Sequence, residues 1–574
     1  MCGISVQLKC RRVLISDAIK AFCGPELVSA SSPSNSSSLD WLQRRGPDVS
    51  KTIAREHGNL QLSGSVLHMR GSTHGAIAQP LEADGDALLW NGELFRCERV
   101  HVAPDVNDSR IVFEAVRAAA AQSVDAVVEL LSSFQGPWAI VFYHAVSRRL
   151  LFARDPLGRR SLLLGLSDDS FQLASVSQGD ATWTELAPRG LYTLDLSADD
   201  DDVVPLRLLP WPDSASDVDP DWSAFPRRVP LLERAPPSQQ TTARFPAPRD
   251  EESDNCGADN GVCGAFLDAL LDATRLRVCN VPLPPPRPAG TPQCRPARVA
   301  VLFSGGVDSA VLAALCHAEL PAAEPIDLIN VSFAGDRAPD RASALATLHE
   351  LRCVAPTQRE WRLVLVDVTE ADVAQWQAHI LRLCEPHVSV MDMTIGIALW
   401  FGARGLGSVD GVPFESQARV LLTGHGADEQ LGGYKRLRTR FNQGGWAAAQ
   451  EEIELDQRRL WSRNLGRDDR VVSDCGRELR CVFLDEGVLR MLATAPLSAI
   501  CNLPAGDDGV GDKHLIRRAA RRLGLTASSR MVKRAIQFGT RIAAVYKSAA
   551  RRTGVEGASK GQSSYSSVAF TDVD

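Results

Sequence analysis

The sequence predicts two domains of different class, an α+β domain followed by an α/β domain built on a parallel sheet. Three observations carry this. Residues 1 to about 200 mix short strand-like runs with a few segments of helical period. Residues 298 to about 545 alternate apolar strand runs with helical stretches, the pattern of parallel strands joined by crossover helices and covered on both faces. Between them, about 201–297 is rich in Asp, Pro and Arg and ends in Pro282-Leu283-Pro284-Pro285-Pro286, a linker composition. A chain of 574 residues is long enough for two or three domains with sizeable cores.

Taken in order, the opening Met1–Val13 reads as a strand, not as a basic-then-apolar leader. Glu26–Asp40 is a polar, Ser-rich loop insertion. Strands are expected at Leu60–His68, Ala87–Trp90, Trp138–Tyr143 and Leu150–Arg154, with helices at Ser109–Ala120 and Val124–Ser132. Gly264–Val278 has the period of an amphipathic helix that opens the second domain. Buried strands are expected at Val299–Phe303, Ile326–Ser332, Arg362–Val366 and Val420–Thr423. The Ser- and Gly-rich end reads as a loose tail. The expected domains are thus 2–200, a linker at 201–297, 298–550, and a disordered tail at 551–574.

Composition narrows the function. Hydrophobic residues at 44% and charged residues at 23% are ordinary globular values. A net charge of −7 argues against nucleic acid as a partner by bulk electrostatics. No apolar run approaches the ~18 residues of a membrane span. Fourteen cysteines show neither a C-x-x-C pair nor a zinc-type Cys/His spacing, which fits reduced thiols in a cytoplasmic protein.

Two segments carry chemistry. Removal of Met1 would leave Cys2 N-terminal, placing a nucleophilic thiol and an amine base of pKa ~8 on one residue. Far downstream, Ser304-Gly305-Gly306-Val307-Asp308-Ser309 follows a short apolar strand and turns into a helix at Ala310–Ala318. Its glycines let backbone approach an anion, and hydroxyls and N–H groups at the helix start bind it. It lacks the Gly-Lys-Ser/Thr of a Walker A loop. A second loop, Thr423-Gly424-His425-Gly426-Ala427-Asp428-Glu429, also leaves a predicted parallel strand at its carboxyl end. That arrangement would bring Asp308 and Asp428 together.

Behind Cys2 come Arg45-Gly46-Pro47-Asp48, Gln79-Pro80-Leu81, Trp90-Asn91-Gly92-Glu93-Leu94 and Asn107-Asp108-Ser109. In this order they resemble the class II glutamine amidotransferases across most of 1–200, which implies an Ntn-type glutaminase sandwich. Phe152–Gly158 matches that family too, in a stretch that supports the fold. The resemblance implies that Cys2 attacks the glutamine amide, with the Asn91 side chain and Gly92 N–H as oxyanion donors worth about 3 kcal/mol each. It implies Arg45 as a bidentate clamp on the α-carboxylate, and Glu93 and Asp108 as holders of the α-ammonium. Other readings stand beside these. Asn-Gly is a common hairpin turn, Asp108 would serve as a helix cap, and Arg45 would be a surface residue of a turn.

The Ser304–Ser309 sequence resembles the PP-loop of enzymes that cleave ATP to AMP and pyrophosphate. With Val482-Phe483-Leu484-Asp485 and Lys513-His514-Leu515, residues 298–545 are similar to the synthetase domain of asparagine synthetases, an adenine nucleotide α-hydrolase-like fold. In Pro339-Asp340-Arg341, Met391–Thr394, Arg463–Arg470 and Lys533–Gly539 the chain more closely resembles a divergent eukaryotic branch of that family. The resemblance implies ATP held by Ser304, Gly305, Gly306, Asp308, Ser309, Gly424 and Gly426, and Mg²⁺ held by Asp308 and Asp428. Lys513 would neutralise charge in the transition state, its alternative being a solvated lysine at a helix start. The implied reaction joins aspartate, ATP and glutamine to give asparagine, AMP, pyrophosphate and glutamate, with ammonia passing from one site to the other. One departure stands out. Asparagine synthetases have Glu where this chain has His425, which accepts a proton at a pKa near ~6.5 but offers no negative charge to an ammonium. A glutaminase coupled to another carboxylic acid, or a binding scaffold that keeps both folds, are the alternatives.

Overall fold

A computed structural model describes residues 2–9, 13–15, 38–71, 75–103, 106–167, 170–178, 182–197, 204–212, 257–284, 294–355, 359–505 and 509–545. The chain forms two compact units. The first comprises 1–224 with 379–388 and 458–478, and the second takes the remainder. Most of the Glu26–Asp40 insertion and the whole 551–574 tail lie outside the described residues.

The first unit is a sandwich of two sheets. One runs, in order, Thr182–Glu185, Leu163–Ser167, Ser170–Ala174, Cys2–Lys9, Leu60–Val66, Val49–Arg55, each neighbour antiparallel. The other runs Val13–Ile15, Val204–Pro210, Gly190–Asp195, Arg149–Arg154, Trp138–His144, Asp86–Gly92, Leu81–Ala83. Alternation does the sorting. Ile4, Val6 and Leu8 point from the first sheet into a core shared with Leu89, Val141, Leu150 and Phe152 of the second. The other face of the second sheet, with Leu88, Trp90, Ile140 and Phe142, packs against Val112, Val116 and Leu131 of helices Asp108–Ala120 and Val124–Ser132. The four strands and two helices expected here all form. The structure adds a strand, Val204–Pro210, in sequence whose Asp- and Pro-rich composition had read as linker.

In the second unit one sheet runs Val412–Glu415, Leu406–Val409, Trp361–Asp367, Ile326–Ser332, Val299–Leu302, Val420–Thr423, Glu478–Cys481. The four expected strands pair in parallel, and helices lie between them in sequence. An antiparallel hairpin, Leu406–Val409 with Val412–Glu415, extends one edge. Val299–Leu302 lies between Ile326–Ser332, which follows it in sequence, and Val420–Thr423, which comes over a hundred residues later. This reversal of strand order opens a crevice at the carboxyl ends, where both glycine-rich loops emerge.

Candidate functional site

The first cluster lies in the sandwich. Cys2 heads its strand opposite Val66, and Asn91 and Gly92 close the strand Asp86–Gly92 opposite Ala139 and Trp138. Asn91-Gly92 is therefore strand, not a hairpin turn. The Asn91 Oδ1 accepts from the Cys2 backbone N at 2.9 Å. That fixes the amide, and its Nδ2 is buried with no hydrogen-bond partner among the described residues. A buried donor left unpaired costs about 1–3 kcal/mol, so its retention points to a ligand oxygen.

Cys2, Arg70, Gln79, Gly92, Glu93 and Asp108 line one cavity. The cap of helix Asp108–Ala120 is Asn107, whose side chain accepts from Ser109 N at 3.1 Å. Asp108 is thus released from capping. Its Oδ2 accepts from Leu94 N at 2.7 Å and Trp90 Nε1 at 3.3 Å. Burial raises the Asp108 carboxyl above its ordinary range, against the pull of the Arg70 cation. Burial also pushes the Cys2 thiol up to about 11, with the Asp108 charge adding to it.

Arg45 does not join this cavity. It ends the helix Ser38–Arg45, and its Nη2 bonds Asp469 Oδ2 at 2.8 Å, with both side chains buried. It is not the surface residue of a turn either. Asp469 also takes Arg160 Nη1 at 3.2 Å and Ser161 N at 3.1 Å. Burial alone would raise its carboxyl, but Arg45 and Arg160 hold it below the usual range. The arginine at the cavity is Arg70, with Nη1 4.0 Å from Glu93 Oε2 and bonded to Leu94 O at 2.6 Å. Two cavity residues had no assigned role in the sequence. Arg70 sits in a short stretch without periodic signal, and the Gln79-Pro80-Leu81 motif says nothing of the direction of the Gln79 side chain.

The second cluster lies at the crevice of the α/β unit. Gly305 has φ +78°, and a Cβ there would fall 2.3 Å from the Ser343 backbone carbon, so only glycine turns the loop this tightly. Ser304 Oγ caps inward on Gly306 N at 3.2 Å, and Ser309 Oγ donates to Gly306 O at 3.0 Å. A Cβ on Gly424 would lie 3.2 Å from that of Asp308, which places the two glycine-rich loops side by side. Gly426, at φ +88°, precedes the short helix Ala427–Leu431 that carries Asp428.

Between the loops stands Lys513, 1% exposed, with Nζ 2.5 Å from Asp308 Oδ2 and 2.7 Å from Asp428 Oδ1. It is not a solvated helix-start lysine. Burial opposes ionisation of Asp428, yet Lys513 and Lys533 bring it down to about 2, and the carboxylates in turn raise Lys513 above the ordinary lysine value. Asp308 Oδ1 is buried without a hydrogen-bond partner among the described residues. Such an oxygen beside a second carboxylate fits Mg²⁺, which binds through one or two carboxylates and completes its shell with phosphate and water. No group of three or more His, Cys, Asp or Glu forms a metal cage among the described residues, so groups other than these side chains would have to supply the rest. His425 Nδ1 lies 2.6 Å from Thr423 Oγ1. Tyr434 donates to Glu429 Oε1 at 2.7 Å, under the Lys533 ammonium 4.5 Å from its ring.

Comparison with known proteins agrees with both halves. A family model described as asparagine synthase matches 296–444, and one described as a glutamine amidotransferase domain matches 72–179. Asparagine synthetase domain-containing protein 1 of Bos taurus is 36% identical over 88% of this chain and 92% of that protein. The Homo sapiens protein of that name is 35% identical over 88% and 92%, and the Mus musculus one 35% over 89% and 94%. With a glutamine amidotransferase domain followed by an asparagine synthase α/β domain, the chain belongs to the family of asparagine synthetase domain-containing protein 1.

Proposed function

We propose that this protein is a glutamine-hydrolysing, ATP-dependent amide ligase that converts aspartate to asparagine. The observation that carries the proposal is Cys2 bonded through its backbone N to Asn91 Oδ1, with the Asn91 amide donor buried and unpartnered among the described residues. A thiol held at about 11 is uncharged near pH 7, so the reaction needs a base. The α-amine freed by loss of Met1 is the base available on the same residue. The sulfur attacks the glutamine amide carbon while Asn91 Nδ2 and the Gly92 N–H receive the oxyanion. The C–N bond breaks to release ammonia and leave a thioester, which water hydrolyses to glutamate. Arg70, lining the cavity, takes the α-carboxylate role in place of Arg45, and Glu93 and Asp108 face the α-ammonium.

At the crevice, ATP bound with Mg²⁺ supplies activation of the acceptor carboxylate and pyrophosphate as leaving group. The Ser304–Ser309 loop with Gly424 and Gly426 cradles the phosphates, Asp308 and Asp428 would hold the ion, and Lys513 offsets negative charge. Eleven cysteines among the described residues are free thiols, which supports a cytoplasmic setting. No helix among the described residues is long and apolar enough to cross a membrane.

His425 in the place of the family Glu, bonded to Thr423, favours a second reading in which the acceptor is another carboxylic acid. The two readings part in one assay. Purified protein lacking Met1 is given ATP, Mg²⁺ and glutamine with and without aspartate, and pyrophosphate is followed. Aspartate-dependent release supports asparagine formation. Release that needs a different acid supports the second reading.

A further inference from the structure

Gln79 is held more firmly than a cavity wall requires. Its backbone carbonyl presses on Gly64, where a Cβ would come within 2.7 Å of the oxygen. Its Oε1 accepts from Trp90 N at 2.6 Å, one residue before Asn91. With the oxygen so engaged, the amide has one orientation, and Nε2 is turned to Cys2 Sγ at 3.5 Å. The side chain is 3% exposed, and Cys2 itself is 5% exposed. A nitrogen donor at this distance is a normal partner for sulfur, and it strengthens as the sulfur gains charge.

From this geometry we infer that Gln79 is the positioning residue of the nucleophile, its amide N–H holding the Cys2 sulfur and favouring the thiolate. The inference rests on the glutaminase reading for its purpose, although the contact itself does not. The same strand end thus serves two atoms of the reaction. Trp90 N fixes the Gln79 amide toward sulfur, and Asn91 next to it keeps a buried amide donor without a partner among the described residues. The other groups acting on the sulfur are the Leu67 backbone and the carboxylates of Asp108 and Glu478.

Gln79→Glu keeps the oxygen that Trp90 N needs and replaces the donor with a second oxygen. Gln79→Met keeps the length, removes the donor and adds no charge. In full-length protein lacking Met1, the rate of Cys2 alkylation by iodoacetamide is followed against pH by mass spectrometry of the N-terminal peptide. Loss of a charge-assisted hydrogen bond is expected to move the midpoint upward by about one pH unit or more in Gln79→Glu and less in Gln79→Met. Glutaminase kcat is expected to fall about tenfold or more with KM for glutamine little changed. An alkylation profile unmoved in both variants, whatever happens to turnover, overturns the inference and leaves Gln79 a packing residue. A shifted profile in a protein that hydrolyses no glutamine upholds the contact and rejects the glutaminase reading.

Discussion

Asp469 offers the sharpest test of how the sandwich is held. Its carboxylate is fully buried and takes Arg45 Nη2, Arg160 Nη1 and Ser161 N at 2.8–3.2 Å. Asp469→Ala strips an anion from beside two buried guanidiniums. Breaking a buried pair by removing one partner costs about 3–5 kcal/mol, because the remaining charge is left without compensation. For a unit of roughly 250 residues, about 2–4 °C per kcal/mol gives a fall in Tm of about 6–20 °C. Scanning calorimetry of the full chain reads this directly. The pH dependence adds a second signature. The folded Asp469 carboxyl lies below its unfolded value, so its stabilisation is present above about pH 4 and is lost as pH falls below that. The deficit of Asp469→Ala should therefore shrink on acidification. Adding Arg45→Met removes the orphaned cation and should recover part of the loss. A variant within about 1 kcal/mol of wild type at pH 7, or a deficit constant down to pH 3, refutes the reasoning, since a surface pair is worth no more than that.

Three further outcomes are expected. Asn91→Ala should lower glutaminase kcat by about 10²–10³ with little change in KM, read from steady-state glutamate release, because its donor acts on the oxyanion. Arg70→Lys should raise KM for glutamine while Arg45→Lys affects stability first, a contrast that steady-state kinetics and melting curves on both variants would resolve. Lys513→Met leaves Asp308 and Asp428 facing each other, so pyrophosphate release should collapse and Asp428 should titrate well above about 2. In wild type the Asp428 contribution to stability is present above about pH 4 and lost on descent toward about 2, and this acid-linked loss should disappear in the variant's urea melts.

Much of the framework is legible from local pattern. Val420–Thr423 is a near-continuous apolar run and Ile326–Ser332, although broken by Asp327 and Asn330, is buried along its whole length, as both faces of a parallel strand are covered, and both form as expected. The hairpin Leu406–Val409 with Val412–Glu415 escapes, since none of its residues is buried and its apolar positions keep no simple alternation. Val204–Pro210 escapes because Pro205 and Pro210 and the Asp run before it read as linker. At the first site, Cys2, Asn91, Gly92, Glu93 and Asp108 gather because each sits at a strand or helix end that local pattern places. Arg45 was beyond such reading. Its partner is 424 residues away, on a segment the sequence order assigns to the other half. At the second site the sequence locates both loops, but only the fold shows Lys513 drawn between Asp308 and Asp428.

The central claim is that nitrogen moves from glutamine to an acceptor activated by ATP. Its most direct test supplies glutamine labelled with ¹⁵N in the side-chain amide, together with ATP, Mg²⁺ and aspartate, to protein lacking Met1. One labelled asparagine per AMP formed, lost in Cys2→Ala and restored without label by unlabelled ammonia, is the predicted result. Labelled ammonia and glutamate released with neither labelled asparagine nor AMP would contradict it.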